Sequence, residues 1–439
     1  MPKKKQTTDF RYETGDAQIP WESVGEKINA PDLENIVRFL VRPKDGYEKQ
    51  YDKKLDKVKT SLNDLWAVGE PSSKLTMGAQ VKELENRCRK FLGVKHACFL
   101  TNATAGFEIA YKYADVRPGD EVIAPSITFI ATIAYPLSIG AKVVFADIAP
   151  ETLNMDPVDA ERKITPKTKA IIPVHIGGYP ADMDTIMKIA RKRNITVIED
   201  AAHAFGGMYR GRMTGTIGHF GAYSFHEVKN INSFGEGGLL VTNLDAGEDF
   251  SKCRFLGLDF TTTIPNWLYD VTPVRSLRGT WFVAGNHSST EIQAVALLSQ
   301  LKRIKTIIGE RRRAFMYLRK RFAEDDAIYL PPLDTEDTKG THHLYLFRID
   351  PEKAGGTIQD LKKLLTQRGI VQIPHFGPLY HFDLLKKMGY NRKKIAVTCP
   401  RTEQVFNREF THLPLYRFTH DRLEYLADNV LDSIREMRG

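Results

Sequence analysis

Six short apolar runs, each followed by turn residues and a helical stretch, recur between residues 96 and 225 and constrain the fold more than any other feature. The runs are rich in β-branched and aromatic residues: HACFL, EVIAPSI, KVVFADI, AIIPVHI, ITVIED and GAYSF. Strands that alternate with helices and are apolar almost throughout are typical of a parallel sheet covered on both faces. The sequence therefore predicts an α/β fold with a mostly parallel central sheet and helices on both faces.

The rest of the chain divides around this alternation. Residues 1–75 are polar and irregular and are interpreted as an N-terminal extension and arm. Residues 76–300 form the predicted large domain. A single long helix is predicted over residues 291–322, and a new αβ pattern begins near residue 340 with HLYLFRI. Residues 301–439 are therefore assigned to a linking helix and a smaller C-terminal αβ domain.

Composition excludes several classes of protein. Hydrophobic residues make up 42% and charged residues 27% of the 439, which is close to the average of soluble globular proteins. No apolar run reaches the roughly 18 to 20 residues that a membrane helix needs, and the N-terminus lacks the apolar core of a signal peptide. The four cysteines lie far apart, without metal-ligand spacing. We expect a cytoplasmic protein with no metal site and no membrane partner.

The net charge of +9 is concentrated in one segment. Residues 301–322 carry nine basic side chains and one acidic side chain, so the remaining chain is nearly neutral. This distribution favours a single solvated basic helix over a surface for nucleic acid. We therefore expect no nucleic-acid partner, although the helix could help to attract an anionic substrate.

The candidate site residues follow the strands, because ligands of such sheets bind beyond the carboxyl ends of the strands. The chain has no GxGxxG and no GxxxxGK[ST] motif, which removes the best support for dinucleotide and P-loop sites. The first strand-to-helix turn reads TNATAG at 101–106, and its small and hydroxyl residues suit a single phosphate. A threonine helix cap is the commoner reading of such a turn.

An acid and an amine complete this pattern. Asp200 ends the run ITVIED, and Lys229 follows GAYSF and precedes the glycine-rich GEGG. Taken singly, each is more often a salt-bridged or exposed charge. Together with the phosphate turn, the aromatic Phe129 and the hydroxyl of Ser224, they are the parts that hold pyridoxal phosphate, with the lysine as an amine nucleophile and the aspartate as the partner of the ring nitrogen.

These residues also carry a family resemblance. The stretch from Glu199 to Gly238, EDAAHAFGGMYRGRMTGTIGHFGAYSFHEVKNINSFGEGG, resembles the signature of the DegT/DnrJ-type (StrS-like) sugar aminotransferases. The similarity extends over about residues 78–434 and includes PSITFIATIAYPLSIGAKVVFADI, TEIQAVALLSQL and LPLY. It implies the aspartate aminotransferase-like fold of the fold-type I pyridoxal phosphate enzymes.

The resemblance also implies roles for individual residues. Lys229 matches the Schiff-base lysine, which also moves the proton, and Asp200 matches the partner of the pyridinium nitrogen. The other matching positions are Phe129 and Ala202 against the two ring faces, Thr104, Ala105 and Ser224 at the phosphate, His203 at the phenolic oxygen, and Asn286 reaching the phosphate of the neighbouring subunit. A homodimer with shared active sites is thereby implied.

The chain departs from the family pattern at a few positions. Ala103 replaces the usual glycine of the phosphate turn, His203 replaces a glutamine, and Ser288 stands where many members carry arginine. The turn containing His375 and His381 resembles the substrate-side segment only loosely. Both histidines are open to reading as ordinary surface or capping residues.

The resemblance implies a transaminase that takes its amino group from L-glutamate or L-glutamine. The acceptor expected is a keto group of a nucleotide-linked deoxysugar used in glycan or antibiotic assembly. A keto-cyclitol such as an inosose is the alternative acceptor. A pyridoxamine-dependent sugar dehydratase is less favoured, because those relatives carry histidine in place of the lysine. A regulatory nucleic-acid-binding protein has only the basic pI of 9.1 in its support.

Overall fold

A seven-stranded sheet forms the centre of the protein in the computed structural model, which describes residues 26–72, 75–245, 247–258, 273–372 and 376–439. Across the sheet the strands are β1 (His96–Leu100), β10 (Gly238–Thr242), β9 (Phe220–Ser224), β6 (Thr196–Asp200), β5 (Thr168–Ile171), β2 (Glu121–Pro125) and β4 (Lys142–Ala146). The pairings from β9 to β4 are parallel, whereas β10 is antiparallel to both of its neighbours. The predicted mostly parallel α/β sheet is confirmed.

Each of the six predicted apolar runs contributes a strand to this sheet. The seventh strand, β10, was not predicted, because its run GLLVT directly follows the glycine-rich turn. The smaller strands are β3 (Ile127–Thr128), β7 (Met208–Tyr209), β8 (Arg212–Met213), β11 (Val274–Arg275), β12 (Trp281–Phe282), β13 (Ile328–Tyr329), β14 (Thr338–Lys339), β15 (Tyr345–Ile349), β16 (Gly377–Pro378) and β17 (Phe410–Leu413).

Helices cover both faces of the sheet and build the N- and C-terminal parts. In chain order they are α1 (Ala30–Leu40), α2 (Glu48–Val68), α3 (Ala79–Leu92), α4 (Ala103–Tyr113), α5 (Ala131–Ser138), α6 (Pro157–Arg162), α7 (Met183–Arg193), α8 (Gly247–Phe250), α9 (Glu291–Leu301), α10 (Ile304–Phe322), α11 (Pro351–Ala354), α12 (Ile358–Gln367), α13 (Asp383–Lys387), α14 (Arg392–Thr398), α15 (Pro400–Gln404) and α16 (His420–Arg438). None of the described helices has the length and apolar character needed to cross a membrane.

The alternation of side chains along each strand supplies two separate cores. Val122 and Ile198 pack into one apolar cluster, whereas their chain neighbours Ile123 and Val197 pack into another. Successive side chains of a strand point to opposite faces, so a sheet that is apolar at every position must be covered on both sides. The burial of β2 and β6 along their whole lengths follows from this arrangement.

A second, smaller sheet organises the C-terminal part. Strands β13, β15 and β17 pair antiparallel in that order, and α10, α12 and α16 pack against them. Their core is a cluster of its own that includes Phe322, Phe347 and Leu431. The αβ pattern that begins with HLYLFRI is therefore built around a separate hydrophobic centre.

The prediction of one continuous helix over residues 291–322 is wrong. Helix α9 ends at Leu301 and α10 begins at Ile304, with Arg303 outside helical geometry (φ −107°, ψ 5°). Leu297 and Leu301 pack into the core beneath the central sheet, whereas Leu318 and Phe322 pack into the C-terminal core. Ile304 at the start of α10 still packs into the core of α9, so α10 passes from that core to the C-terminal one along its length.

Candidate active site

Asp200 lies at the carboxyl end of β6, as predicted, and is 5% exposed. Thr132 Oγ1 donates a hydrogen bond of 2.8 Å to Asp200 Oδ2, and the Ala202 amide donates one of 3.1 Å to Oδ1. Burial raises the pKa of the Asp200 carboxyl, while these two hydrogen bonds and the charge of Lys229 act in the opposite direction. A buried carboxylate such as Asp200 is stabilised in its charged form by a nearby cationic group, and this position is therefore suited to a cationic partner.

Lys229 occupies a tight loop directly after β9. The loop closes on itself: Phe225 N donates to the Gly237 carbonyl at 2.7 Å, and Lys229 N donates to the His226 carbonyl at 2.9 Å. The Lys229 side chain is half-buried. Burial lowers the pKa of its amine to about 8, and the charge of Asp200 partly offsets this effect. A substantial neutral fraction near neutral pH is what an amine nucleophile requires.

The predicted phosphate turn forms the start of α4, where three strand ends meet. Asn102 caps the helix, and its Oδ1 accepts a hydrogen bond of 2.9 Å from the Ala105 amide. The Thr104 side chain is exposed in the first helical turn. Ser224, at the end of β9, pairs in register with Gly238 of β10. Thr104 and Ser224 therefore lie at the same edge of the sheet as Asp200, whereas the Ala105 amide is already engaged by Asn102.

Gly238 explains why the glycine-rich turn precedes β10. A methyl group at this position would collide with the main-chain carbonyl of Asn102. Only glycine permits this close approach of β10 to the first turn of α4. The glycine-rich motif thus shapes the phosphate turn from the opposite side.

Phe129 and Ala202 are both linked to the surroundings of Asp200. Phe129 lies between β3 and α5, and its carbonyl accepts a hydrogen bond of 3.1 Å from the amide of Thr132. Its ring is 59% exposed, an unusual position for a phenylalanine. Ala202 is half-buried, and its amide binds Asp200. A planar ring bound over Asp200 would cover the exposed apolar surface of Phe129 and the half-buried Ala202.

His203 is held beside a second histidine that sequence reasoning missed. The ring centroids of His203 and His343 are 4.6 Å apart. Thr341 Oγ1 donates a hydrogen bond of 2.5 Å to the main-chain carbonyl of His203. His343 Nδ1 lies 2.9 Å from Oδ1 of Asn230, and Asn230 is the residue that follows Lys229 in the chain. No local signal identifies His343, because it comes from the C-terminal part and only the tertiary structure brings it to this site.

Asn286 is exposed and lies on a segment that runs beside β1. Its Oδ1 accepts a hydrogen bond of 3.0 Å from Ser288 Oγ, and Ser288 bridges to Leu100. The serine that replaces the usual arginine thus orients this asparagine. Contact with the phosphate of a partner subunit remains a prediction.

The loosely matching turn contains two histidines, His375 and His381, and the structure describes the second of them. His375 lies outside the described residues. His381 Nε2 lies 2.7 Å from Glu403 Oε1, which also accepts a 2.7 Å hydrogen bond from the Tyr380 hydroxyl. His381 therefore belongs to a local side-chain network between α15 and the turn that precedes α13.

Beneath Asp200, its chain neighbour Glu199 forms a fully buried hydrogen-bonding centre. Glu199 accepts hydrogen bonds from the amides of Gly215, Ile217 and Gly218 at 2.8, 2.6 and 2.5 Å. His175 Nδ1 accepts from the Ala181 amide at 3.0 Å, so its Nε2 carries the proton and donates to Glu199 at 2.9 Å. These contacts join strand β6 to two loops, residues 175–181 and 215–218, directly behind the candidate site.

We predict that Glu199→Gln lowers the free energy of unfolding by about 2 to 4 kcal/mol, because an amide NH₂ would face backbone donors in a buried network. Chemical denaturation of the variant measures this loss. Glu227→Gln, at an exposed position in the Lys229 loop, is the matched control and should stay within about 0.5 kcal/mol of the native protein. Equal stability of the two variants would contradict the prediction.

Comparison with known proteins places this geometry in a family. Residues 58–431 match the model of the DegT/DnrJ/EryC1/StrS aminotransferase family. The chain is 33% identical over 370 residues to the spore coat polysaccharide biosynthesis protein SpsC of Bacillus subtilis, which covers 83% of this chain and 90% of that protein. The chain belongs to the DegT/DnrJ/EryC1/StrS aminotransferase family, as its sequence motifs indicate.

Solved structures agree with this assignment. Spr1654 of Streptococcus pneumoniae, named as a sugar aminotransferase, superposes in its PMP form with a TM-score of 0.74 at 27% identity, covering 86% of this chain and 96% of that one. DesV of S. venezuelae, solved with a ketimine intermediate, gives a TM-score of 0.71 at 26% identity, covering 88% and 96%. Spr1654 was also solved in its PLP form. The predicted fold type, the transaminase class and pyridoxal phosphate as the family cofactor are confirmed.

Proposed function

We propose that this protein transfers an amino group from L-glutamate or L-glutamine to a keto group of a nucleotide-linked deoxysugar. The observation that carries the proposal is the arrangement of a half-buried lysine, Lys229, in the closed loop after β9 and a buried carboxylate, Asp200, at the end of the neighbouring strand β6. Family membership supports the reaction class. The role of SpsC in spore coat polysaccharide biosynthesis, as its name gives it, supports a sugar acceptor.

The residues present fit pyridoxal phosphate. Asp200 is a buried carboxylate for a protonated ring nitrogen, the exposed Phe129 offers a ring face, and Thr104 with Ser224 offers hydroxyls at a helix N-terminus for the phosphate. When bound, this cofactor supplies an electron sink for the carbon that loses its proton. Ala105, Ala202 and His203 complete the proposed binding set.

Lys229 would carry out two tasks in this mechanism. Its neutral Nζ would be the nucleophile that holds the cofactor covalently through the cofactor's carbonyl carbon, with loss of water. Once released by the amino donor, the free Nζ would act as the base that takes the proton from the donor carbon and as the acid that gives it back. The donor would leave as its keto acid, and the same Nζ would move a proton in the reverse direction when the keto-sugar takes up the amino group.

Asp200 would act throughout as a fixed counter-charge. Its orientation is set by Thr132 and by the Ala202 amide, so no reorganisation is needed when the ring nitrogen becomes cationic. Asn286 would contribute from a partner subunit, and we propose a homodimer for this reason. The division into a large domain over residues 76–300 and a small one over 301–439 is part of the same proposal.

Two measurements test the proposal. The purified protein is expected to show an absorbance band at about 410 to 430 nm that borohydride fixes onto Lys229. Converting the protein to its pyridoxamine form and adding a panel of nucleotide-linked keto-sugars and inososes identifies the acceptor. Restoration of the band by inososes alone would replace the sugar by a keto-cyclitol. Absence of the band at about 410 to 430 nm, together with salt-sensitive DNA binding, would contradict the proposed function.

A further inference from the structure

A short three-stranded ladder of main chain leads into the phosphate turn at Thr101. Its central stretch, residues 285–288, lies between the end of β1 and the stretch 254–256. The Thr101 amide donates a hydrogen bond of 2.9 Å to the His287 carbonyl, and the His287 amide donates one of 2.7 Å to the Arg254 carbonyl. The main chain at Arg254 is therefore linked to the first residue of the phosphate turn through a single residue.

Two further bridges keep this ladder in register. Leu100 forms an antiparallel bridge with Ser288, and Phe255 forms one with Asn286. The central stretch is thus bonded on both sides, as an inner strand of a sheet is, and a displacement of one outer stretch is passed to the other. Asn286, which the sequence singles out as a phosphate ligand, lies within the ladder.

The side chain of Arg254 ties the same ladder to helix α3. Its Nη2 donates a hydrogen bond to Glu85 Oε1, and the two side chains are only 11% and 14% exposed. The same Oε1 accepts a hydrogen bond of 2.7 Å from the Phe99 amide in β1. Burial raises the pKa of the Glu85 carboxyl, whereas the charge of Arg254 acts to lower it. One carboxylate oxygen thus fixes β1 and the Arg254 stretch relative to each other.

The side chain of His287 adds a second tie, to the helix that the phosphate turn begins. His287 Nε2 lies 3.5 Å from Oε1 of Glu108 in the second turn of α4, and Lys112 Nζ donates 2.7 Å to the same oxygen. The imidazole packs against Gly285, where a methyl group would collide with the ring. His287 therefore contacts the phosphate helix through its ring and the residue that precedes this helix through its main chain.

A phosphate site at a helix N-terminus depends on the exact placement of its donors. Thr104 Oγ1 and the first amides of α4 are the donors proposed for the phosphate, and Thr104 lies three residues after Thr101. Hydrogen bonds weaken steeply with misalignment, so binding groups must be held to within about 0.5 Å by the residues around them. The ladder and its two side-chain ties are built where such support is required.

We propose that Arg254, held by Glu85, is a positioning residue for the cofactor phosphate and acts through His287 on the turn that begins at Thr101. The proposal rests on the proposed function for the identity of the phosphate site. A buried ion pair can also serve the fold alone, without bearing on a ligand. The positioning role is favoured because the contacts of this pair lead by main-chain hydrogen bonds to Thr101.

Titration of the cofactor-free protein with pyridoxamine phosphate and with pyridoxamine tests the proposal. The two probes differ only in the phosphate, and neither needs a covalent link to Lys229. Arg254→Gln is expected to weaken the binding of pyridoxamine phosphate about tenfold or more, because the donors of the turn lose their alignment. The affinity for pyridoxamine should change by less than about twofold, since its ring contacts lie elsewhere in the site.

Three further variants sharpen this comparison. Arg87→Gln removes an exposed 2.6 Å ion pair with Glu83 on the same helix α3, and it should leave both affinities unchanged. Arg254→Lys keeps the cation and should recover part of the lost affinity. The double variant Glu85→Gln with Arg254→Gln buries no unpaired charge, so it should be more stable than either single variant and still bind the phosphate poorly.

A readout that stability alone does not change is the ³¹P resonance of bound pyridoxamine phosphate. It should shift in Arg254→Gln and stay in place in Arg87→Gln. Equal weakening of both probes in Arg254→Gln, or no weakening of either, would overturn the positioning role. If the native protein prefers the phosphorylated probe and Arg254→Gln keeps that preference, only the role of Arg254 fails. If the native protein shows no such preference, the proposed phosphate site itself fails.

Discussion

Replacing Lys229 by alanine is expected to lower the rate of amino transfer by at least about 10⁴-fold, because the variant loses the residue proposed both as the covalent nucleophile and as the group that moves the proton. The fold should be unaffected, since the side chain is half-buried and the loop is closed by main-chain hydrogen bonds. Single-turnover kinetics on the pyridoxamine form measures the loss. Recovery of part of the rate on adding small primary amines would show that the missing group acts as a base.

The pH dependence of Lys229 gives this prediction a second readout. Burial lowers the pKa of the amine from its usual value to about 8. The rate of covalent attachment of pyridoxal phosphate should therefore follow a titration curve that rises with pH and has its midpoint near that value. An ordinary surface lysine would give a midpoint about two units higher. Stopped-flow absorbance of the cofactor-free protein between about pH 6 and pH 10 makes the comparison. A midpoint above about pH 10 would refute the assignment of Lys229 as a perturbed amine.

Asp200→Asn is expected to reduce the rate by about 10² to 10³-fold, because the buried carboxylate proposed as the counter-charge of the ring nitrogen is removed while the shape of the side chain is kept. The same change should move the pKa of Lys229 below about 8, since the charge of Asp200 acts to raise it. A loss of activity with an unchanged Lys229 midpoint would argue that the two residues are not electrostatically coupled.

Thr132→Val provides a graded control for Asp200. The substitution leaves the carboxylate in place but removes its 2.8 Å hydrogen bond, which acts to lower the pKa of Asp200. The pKa of Asp200 should therefore rise, and the rate should fall by about tenfold, less than in Asp200→Asn. A Thr132→Val variant as impaired as Asp200→Asn would mean that the hydroxyl has a role beyond orienting the carboxylate.

Local patterns allowed much of the fold to be predicted. The apolar runs could be recognised as strands because each is short, rich in β-branched residues and bounded by turn residues, and Asp200 could be placed because it ends such a run. The strand β10 was missed, since its length and direction depend on pairing between β1 and β9. The helix break at Lys302 and Arg303 was missed because apolar residues at helical spacing continue through it, and Leu301 and Ile304 on its two sides pack into the same core.

The sequence by itself determined the α/β class and the family, and it singled out Lys229 and Asp200 as the proposed catalytic pair, because these depend on residue order and on motifs read along the chain. The tertiary structure decided which distant residues complete the site. His343 beside His203, Thr132 on Asp200 and the inward turn of Arg311 all join segments far apart in the chain. Such contacts depend on how helices and loops pack, and no local pattern encodes them. The basic stretch over residues 301–322 is therefore interpreted from sequence as uniformly solvated, although packing directs one of its side chains, that of Arg311, inward to line a cavity.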